Sequence, residues 1–332
     1  LLEKSHAQDW RTERFEVVRI EAPHDVPPRE PRVIDVALLD MNHNFANVGH
    51  DAIVTLVRDA ALAHDDSLAR AGRRVRLLSY EVREKLMVPD HAEGRHRLYL
   101  GTGGPGHLDP RHNTHKLGVQ EIREDPAWEA PLWRLFEAIA GDEDAALFGV
   151  CHTFGLLCRW SGVAEPHLRG PEKGGHRSGV GTNVLTAEAI EHPWFAGFAH
   201  PSVPVLDSRY YDLLPTSPVF PAGVTPIAYE SSQAGDRPGE ALTMVELARE
   251  RDGSAPRVFG VNSHPEIGSS NRVRALLDRM LENGTITPEV HAERSAILPV
   301  LRDDRGAERL LVARRVFGDL VDRHVGRLAH AA

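Results

Sequence analysis

Cysteine is nearly missing from this chain: Cys151 and Cys158 are the only two in 332 residues. Two thiols cannot make a disulfide framework, and their spacing puts both on similar faces of one helix rather than at the ends of a bridge. Long apolar runs are also missing. No stretch approaches the roughly 20 apolar residues of a membrane-spanning helix, and Leu1-Leu2-Glu3-Lys4-Ser5-His6 lacks the apolar core of a signal peptide. The expected setting is therefore cytoplasmic, without a membrane partner. A basic surplus is absent too: 39 Lys and Arg stand against 48 Asp and Glu, a formal net charge of −9. Neutralising phosphates takes a basic surface, so nucleic acid is not an expected partner. No internal repeat is visible.

The length exceeds one average domain, yet α/β enzymes of this size often build one core with additions. Residues 1–31, with Pro23, Pro27, Pro28 and Pro31, read as a charged arm laid over a domain. From Arg32 the pattern alternates. Short apolar runs predict strands over 33–39, 74–80, 97–100, 145–150 and 257–261, and 225–230 with 240–246 resembles a strand pair. Helical periodicity covers 48–63, 130–140 and 153–161; another helix is expected from Ser269 or Ser270 to Glu282, stopped by Asn283-Gly284. Residues 166–236, rich in Gly, Pro and His, are expected to form short strands and loops over a site. The expected organisation is an arm (1–31), a catalytic domain (32–285) and a helical extension (286–332), amphipathic above all over 305–328.

Chemistry concentrates at strand ends. The run Ala145-Ala146-Leu147-Phe148-Gly149-Val150 delivers Cys151 to the start of a helix, a sharp turn that exposes a nucleophile. First-turn N–H groups of that helix, beginning with His152, can face a developing oxyanion. A second strand ends just before Asn262-Ser263-His264-Pro265-Glu266, adding a base and a carboxylate to orient it. Gly101-Thr102-Gly103-Gly104-Pro105-Gly106 follows another strand and must turn tightly. Cys158, amid Leu156-Leu157 and Trp160, reads as core. His107, Asp109, His112 and His115 are metal-ligand types, but among 19 His a chance cluster is common; the reading is a polar loop, with no metal and no cofactor expected.

Taken in order, Leu39-Asp40 with Asn44-Phe45, Gly103-Gly104-Pro105-Gly106, Gly149-Val150-Cys151 and His264-Pro265-Glu266 make the chain resemble the class I glutamine amidotransferase-like proteins over most of 32–283. Gly181-Thr182-Asn183-Val184 and His192-Pro193-Trp194-Phe195 are similar to the segment that connects these motifs. The resemblance implies a flavodoxin-like three-layer α/β sandwich with a mostly parallel central sheet. It further implies that Cys151 attacks an acyl carbon, His264 shuttles the proton and Glu266 fixes the imidazole, with Gly103, Gly104 and His152 forming the oxyanion hole. Glutamine would be hydrolysed, and a synthetase or acceptor enzyme acting in trans would take the ammonia. Two departures stand out. Gly155 occupies the place of a glutamine-contacting Gln, and Arg209-Tyr210-Tyr211-Asp212 replaces Arg-Tyr-His-Ser, so substrate contacts by Gly155, Arg209, Tyr210, Tyr211 and Asp212 would differ. A second resemblance, to homoserine O-acyltransferases, rests on Pro171-Glu172-Lys173 and Asp207-Ser208-Arg209-Tyr210. It implies Lys173 at an acyl site and transfer from a thioester to a hydroxyl or amine. A catalytically degenerate binding or regulatory protein is the third reading. For the enzyme readings the partner is a small-molecule amide or acyl donor.

Overall fold

The computed structural model describes residues 10–43, 45, 48–92, 94–113, 116–117, 120–170, 175–198, 200–232, 235–267, 274, 277–278, 281–282, 287–295 and 312–330. They divide into two compact units, Lys4–Thr153 with Asp319–Ala332, and Phe154–Gly318.

The first unit is a parallel α/β layer. Its elements in chain order are β1 (Phe15–Ile20), β2 (Val33–Asp40), α1 (Val48–Ala63), α2 (Asp65–Ala71), β3 (Arg74–Glu81) and the short α3 (Val82–Lys85). There follow β4 (His96–Gly101), the two-residue strands β5 (Lys116–Leu117) and β6 (Gln120–Glu121), α4 (Glu129–Gly141) and β7 (Ala146–Val150). The strands pair in the order β1-β3-β2-β4-β7, all in parallel. Without β1 this is second, first, third, fourth, the start of a flavodoxin-like order. A parallel strand is covered on both faces, so it tolerates apolar residues at consecutive positions. That is why Val36 to Leu39 and all of β7 are buried without alternation. α1 instead buries one stripe, with Ile53, Val54, Val57, Ala60 and Ala61 inside. The C-terminal helix Asp319–His330 does the same with Leu320, Val321, Val325 and Ala329, and packs on α1. The protein is thus α/β, with the flavodoxin-like layering expected.

One expectation needs amending. Residues 15–20 of the expected arm form β1, in register with β3 from Phe15 opposite Val75 to Ile20 opposite Tyr80. Phe15 and Ile20 are buried, and Arg74 reaches across to Glu16 at 2.6 Å. Pro-rich flanks disguised a strand of only six residues.

The second unit is antiparallel. Helix α5 (His152–Ser161) leads into β8 (Ala164–Leu168), β9 (Arg177–Leu185), α6 (Ala187–Glu191), β10 (Ser202–Arg209), β11 (Tyr211–Pro215), β12 (Thr225–Ser232), β13 (Gly235–Arg249) and β14 (Pro256–Val261). The order is β14-β13-β12-β9-β10, with β11 pairing β13 and β8. β12 and β13 are antiparallel partners, as their sequences predict. After β14 come α7 (Pro288–Ser295) and a π-helical turn at Arg314–Gly318. The helix expected over 269–282 lies largely outside the described residues, as do 296–311. Among the described residues no helix is long and apolar enough to cross a membrane.

Candidate active site

Cys151 lies at the end of the first unit's strand layer. β7 is buried throughout, α5 begins at His152, and Cys151 between them has φ = +47°. Only three non-glycine residues among those described have positive φ, and such a conformation costs free energy that the surrounding structure must supply. The strain turns the chain at Cys151 and puts it beside the first-turn N–H groups of α5, which have no intrahelical acceptor. Cys151 is partly exposed and Cys158 fully buried. Burial pushes the Cys158 thiol well above the ordinary thiol range, leaving it protonated and packed.

The glycine loop is tied to this elbow. β4 and β7 are in register with Gly101 opposite Gly149. One residue on, the Thr102 carbonyl accepts from Thr153 Oγ1 at 2.8 Å and from the Thr153 N–H at 3.4 Å. Thr102 is held on its other side as well: its N–H donates to Leu39 O at 3.1 Å and its Oγ1 accepts from the Met41 N–H at 2.9 Å. Glycine is required here by close approach. A Cβ on Gly101 would lie 2.3 Å from Thr153 Cγ2, and one on Gly104 would lie 2.2 Å from Met41 O. Gly103 and Gly104 therefore stand at the strand edge that carries Cys151 and His152.

His264 and Glu266 lie in the second unit. β14 is buried end to end and runs into Asn262-Ser263-His264, where the His264 N–H donates to Leu206 O at 2.8 Å. His264 Nδ1 lies 2.8 Å from Glu266 Oε1, and the Glu266 side chain is fully buried. A carboxylate oxygen accepts, so Nδ1 is the donor to Glu266. Nε2 faces Ser208 O at 3.4 Å. Cys151 lies in the first unit, and His264 and Glu266 lie in the second.

The expected substrate contacts fare differently. Arg209 and Asp212 are buried in a cluster with Arg169, Arg177, Asp207 and Glu230. Arg169 Nη1 donates to both Asp212 oxygens at 2.7 and 3.0 Å, and Arg209 Nε lies 3.4 Å from Oδ1. Arg169 and Arg209 thus meet the Asp212 charge within this cluster. Three cations stand against three carboxylates, and the set links β9, β10, β11 and β12. Tyr211 is buried too, and its phenol is pushed up to about 12 by desolvation. Tyr210 differs: 40% exposed, it stacks on His176 at 4.2 Å. Gly155 is buried inside α5. Lys173 lies outside the described residues, as do Asn44 and His115. The rings of His107 and His112 meet edge to face at 4.6 Å, and His107 Nδ1 accepts the Asp109 N–H at 2.8 Å. Among the described residues no group of three His, Cys, Asp or Glu is arranged to hold a metal.

Sequence reasoning missed Arg83, Asn113, Glu124 and Trp128, which meet behind the glycine loop. Arg83 and Glu124 form an ion pair with both side chains fully buried. Their only sequence signal is that an arginine lies two residues past a strand end, at the edge where the other motifs end.

No family model and no curated protein sequence matches the chain. Among solved structures it is similar to a glutamine amidotransferase from Thermotoga maritima, at 16% identity over 85% of this chain and 98% of that one, TM-score 0.44. It is also similar to a glutamine amido transferase from Methylobacillus flagellatus, at 15% identity over 90% and 93%, TM-score 0.46. Identities this low leave side-chain chemistry unspecified, so function has to be argued from the residues.

Proposed function

We propose that the protein is a thiol amidotransferase of the class I glutamine amidotransferase-like kind, acting on the side-chain amide of glutamine. The observation that carries this reading is Cys151 at φ = +47° between β7 and α5, because a strained strand-to-helix turn serves to present a nucleophile. In the proposed reaction Cys151 Sγ attacks the amide carbon, and its proton passes to His264 Nε2 while Glu266 holds the imidazole. N–H groups of Gly103, Gly104 and His152 stabilise the oxyanion. Collapse expels ammonia, which takes the proton from His264 and leaves a Cys151 thioester. Water, deprotonated by His264, then releases glutamate and restores the thiol.

A partner enzyme acting in trans would consume the ammonia. Gly155 stands where relatives carry a glutamine-contacting Gln, so the isolated chain is expected to turn over glutamine weakly and a partner would complete the pocket. The test follows ammonia release and the mass of Cys151 with glutamine and, separately, with acyl thioesters, in wild type and Cys151→Ala. A glutamyl adduct and slow ammonia release, both lost in the variant, support the reading. An acyl adduct formed from thioesters alone and passed on to an acceptor sinks it in favour of acyl transfer.

A further inference from the structure

We infer that Arg83, paired with Glu124, is a positioning residue that sets the conformation of the Gly103–Gly106 loop; its catalytic consequence rests on the amidotransferase reading above. Arg83 sits in α3, directly after β3, with its side chain wholly enclosed. Its Nη1 donates to Pro105 O at 2.7 Å and to Met41 O at 2.8 Å, so one guanidinium nitrogen joins the loop after β4 to the loop after β2. Nε and Nη2 face the two oxygens of Glu124, Nε at 3.2 Å. Glu124 is in turn fixed by the Trp128 indole N–H at 3.0 Å and by Asn113 Nδ2 at 2.9 Å. Asn113 closes the frame on the loop's far end, where its Oδ1 accepts the His107 N–H at 2.6 Å and its Nδ2 donates to His107 O at 3.1 Å.

The consequence for the loop is geometric. Thr102 is anchored to Thr153 and Leu39, and Pro105 to Arg83, so Gly103 and Gly104 form a two-residue span between fixed points. Within a trans peptide unit the C=O and N–H point in opposite directions. Drawing Pro105 O onto Arg83 therefore turns the Gly106 N–H away from it. Gly104 rests against the same frame, since a Cβ there would meet Met41 O at 2.2 Å and Arg83 Nη1 at 3.2 Å. Burying a charge is costly unless it is paired and hydrogen-bonded, and here the pair spends its hydrogen bonds on the backbone of two loops that end at the nucleophile's edge of the sheet. A lysine cannot do the same. It has no planar fork to reach Glu124 and two carbonyls at once.

The experiment compares the wild type with Arg83→Lys and with the double variant Arg83→Met/Glu124→Gln, which removes both charges so that no unpaired ion is left inside. Thermal melting and circular dichroism confirm folding. The expected result is a kcat for glutamine about 10- to 100-fold lower in the double variant, with KM changed less than about threefold. Alkylation of Cys151 by iodoacetamide should stay at the wild-type rate, and amide exchange over 103–107 should accelerate. Arg83→Lys should recover only part of the loss. A folded double variant with wild-type kcat and unchanged exchange overturns the inference. Should the wild type show no Cys151-dependent turnover, the glutamine reading fails by itself; exchange over 103–107 then decides, faster exchange supporting the role of Arg83 in the loop and unchanged exchange overturning it.

Discussion

Cys151 and Cys158 belong to the same short stretch of chain and sit in opposite environments, the first on a strained turn with partial exposure, the second packed in α5. A thiol reacts through its thiolate, so alkylation of the folded protein near neutral pH is expected to label Cys151 and leave Cys158 untouched. Peptide mass mapping reads this directly. Labelling of Cys151 should slow in His264→Ala, and equal labelling of both thiols would contradict the environments described. His96 supports a second prediction at this scale. It is buried at the start of β4, donating from Nδ1 to Asp35 O at 3.2 Å and accepting at Nε2 from the Tyr80 hydroxyl at 3.0 Å. Desolvation lowers its pKa to about 4 from the ordinary 6.5. The unfolded chain therefore binds more protons between these values, and the stabilisation is fully present above about pH 6.5 and lost as pH falls toward 4. The shift corresponds to on the order of 3 kcal/mol. Urea unfolding at neutral and at mildly acidic pH should show the loss in wild type and a smaller one in His96→Gln.

Elements meet where glycine lets them. Gly101 ends β4 against Thr153 of α5, and Gly104 lies against the carbonyl that follows β2. Gly101→Ala and Gly104→Ala should each cost about 1–3 kcal/mol through overpacking, and both should lower turnover of glutamine because the loop must move. Calorimetry and ammonia release measure the two effects, and wild-type values for both would show that the loop has slack. The ion-pair cluster joining β9, β10, β11 and β12 makes a contrasting case. Asp212→Asn is expected to leave the KM for glutamine unchanged while lowering the melting temperature, since it uncovers Arg169 rather than a substrate contact. A large rise in KM with unchanged stability would return Asp212 to the substrate site.

At the scale of the whole molecule, the parallel unit holds Cys151, the glycine loop and the Arg83 frame, and the antiparallel unit holds the His264 and Glu266 pair. The residues after Gly318 return to the first unit as a helix that buries Leu320, Val321 and Val325 on α1. Removing Asp319–Ala332 would uncover that apolar face, so the truncated chain is expected to aggregate or to lose cooperative unfolding. Size-exclusion chromatography and thermal melting check this. A truncated form that elutes and melts like the full chain would make the helix an appendage.

Much of the first unit is legible along the chain because a parallel strand buried on both faces writes itself as a continuous apolar run and α1 as a stripe, patterns that need no knowledge of neighbours. The elbow, the glycine loop and the His264 to Glu266 pair are legible for a related reason: each lies within a few consecutive residues at a strand end, and local chemistry decides what it can do. β1 was hidden because its identity as a strand comes from its pairing with β3. Arg83, Asn113, Glu124 and Trp128 were hidden because they are spread over 46 positions and meet only in the folded chain. The same is true of Asp212, whose charge looks available to a ligand until Arg169, 43 residues upstream, is seen to hold it. Local pattern determined which residues can do chemistry, and long-range packing, which alone sets burial and charge pairing, decided which polar groups are left to serve a substrate and which hold the framework.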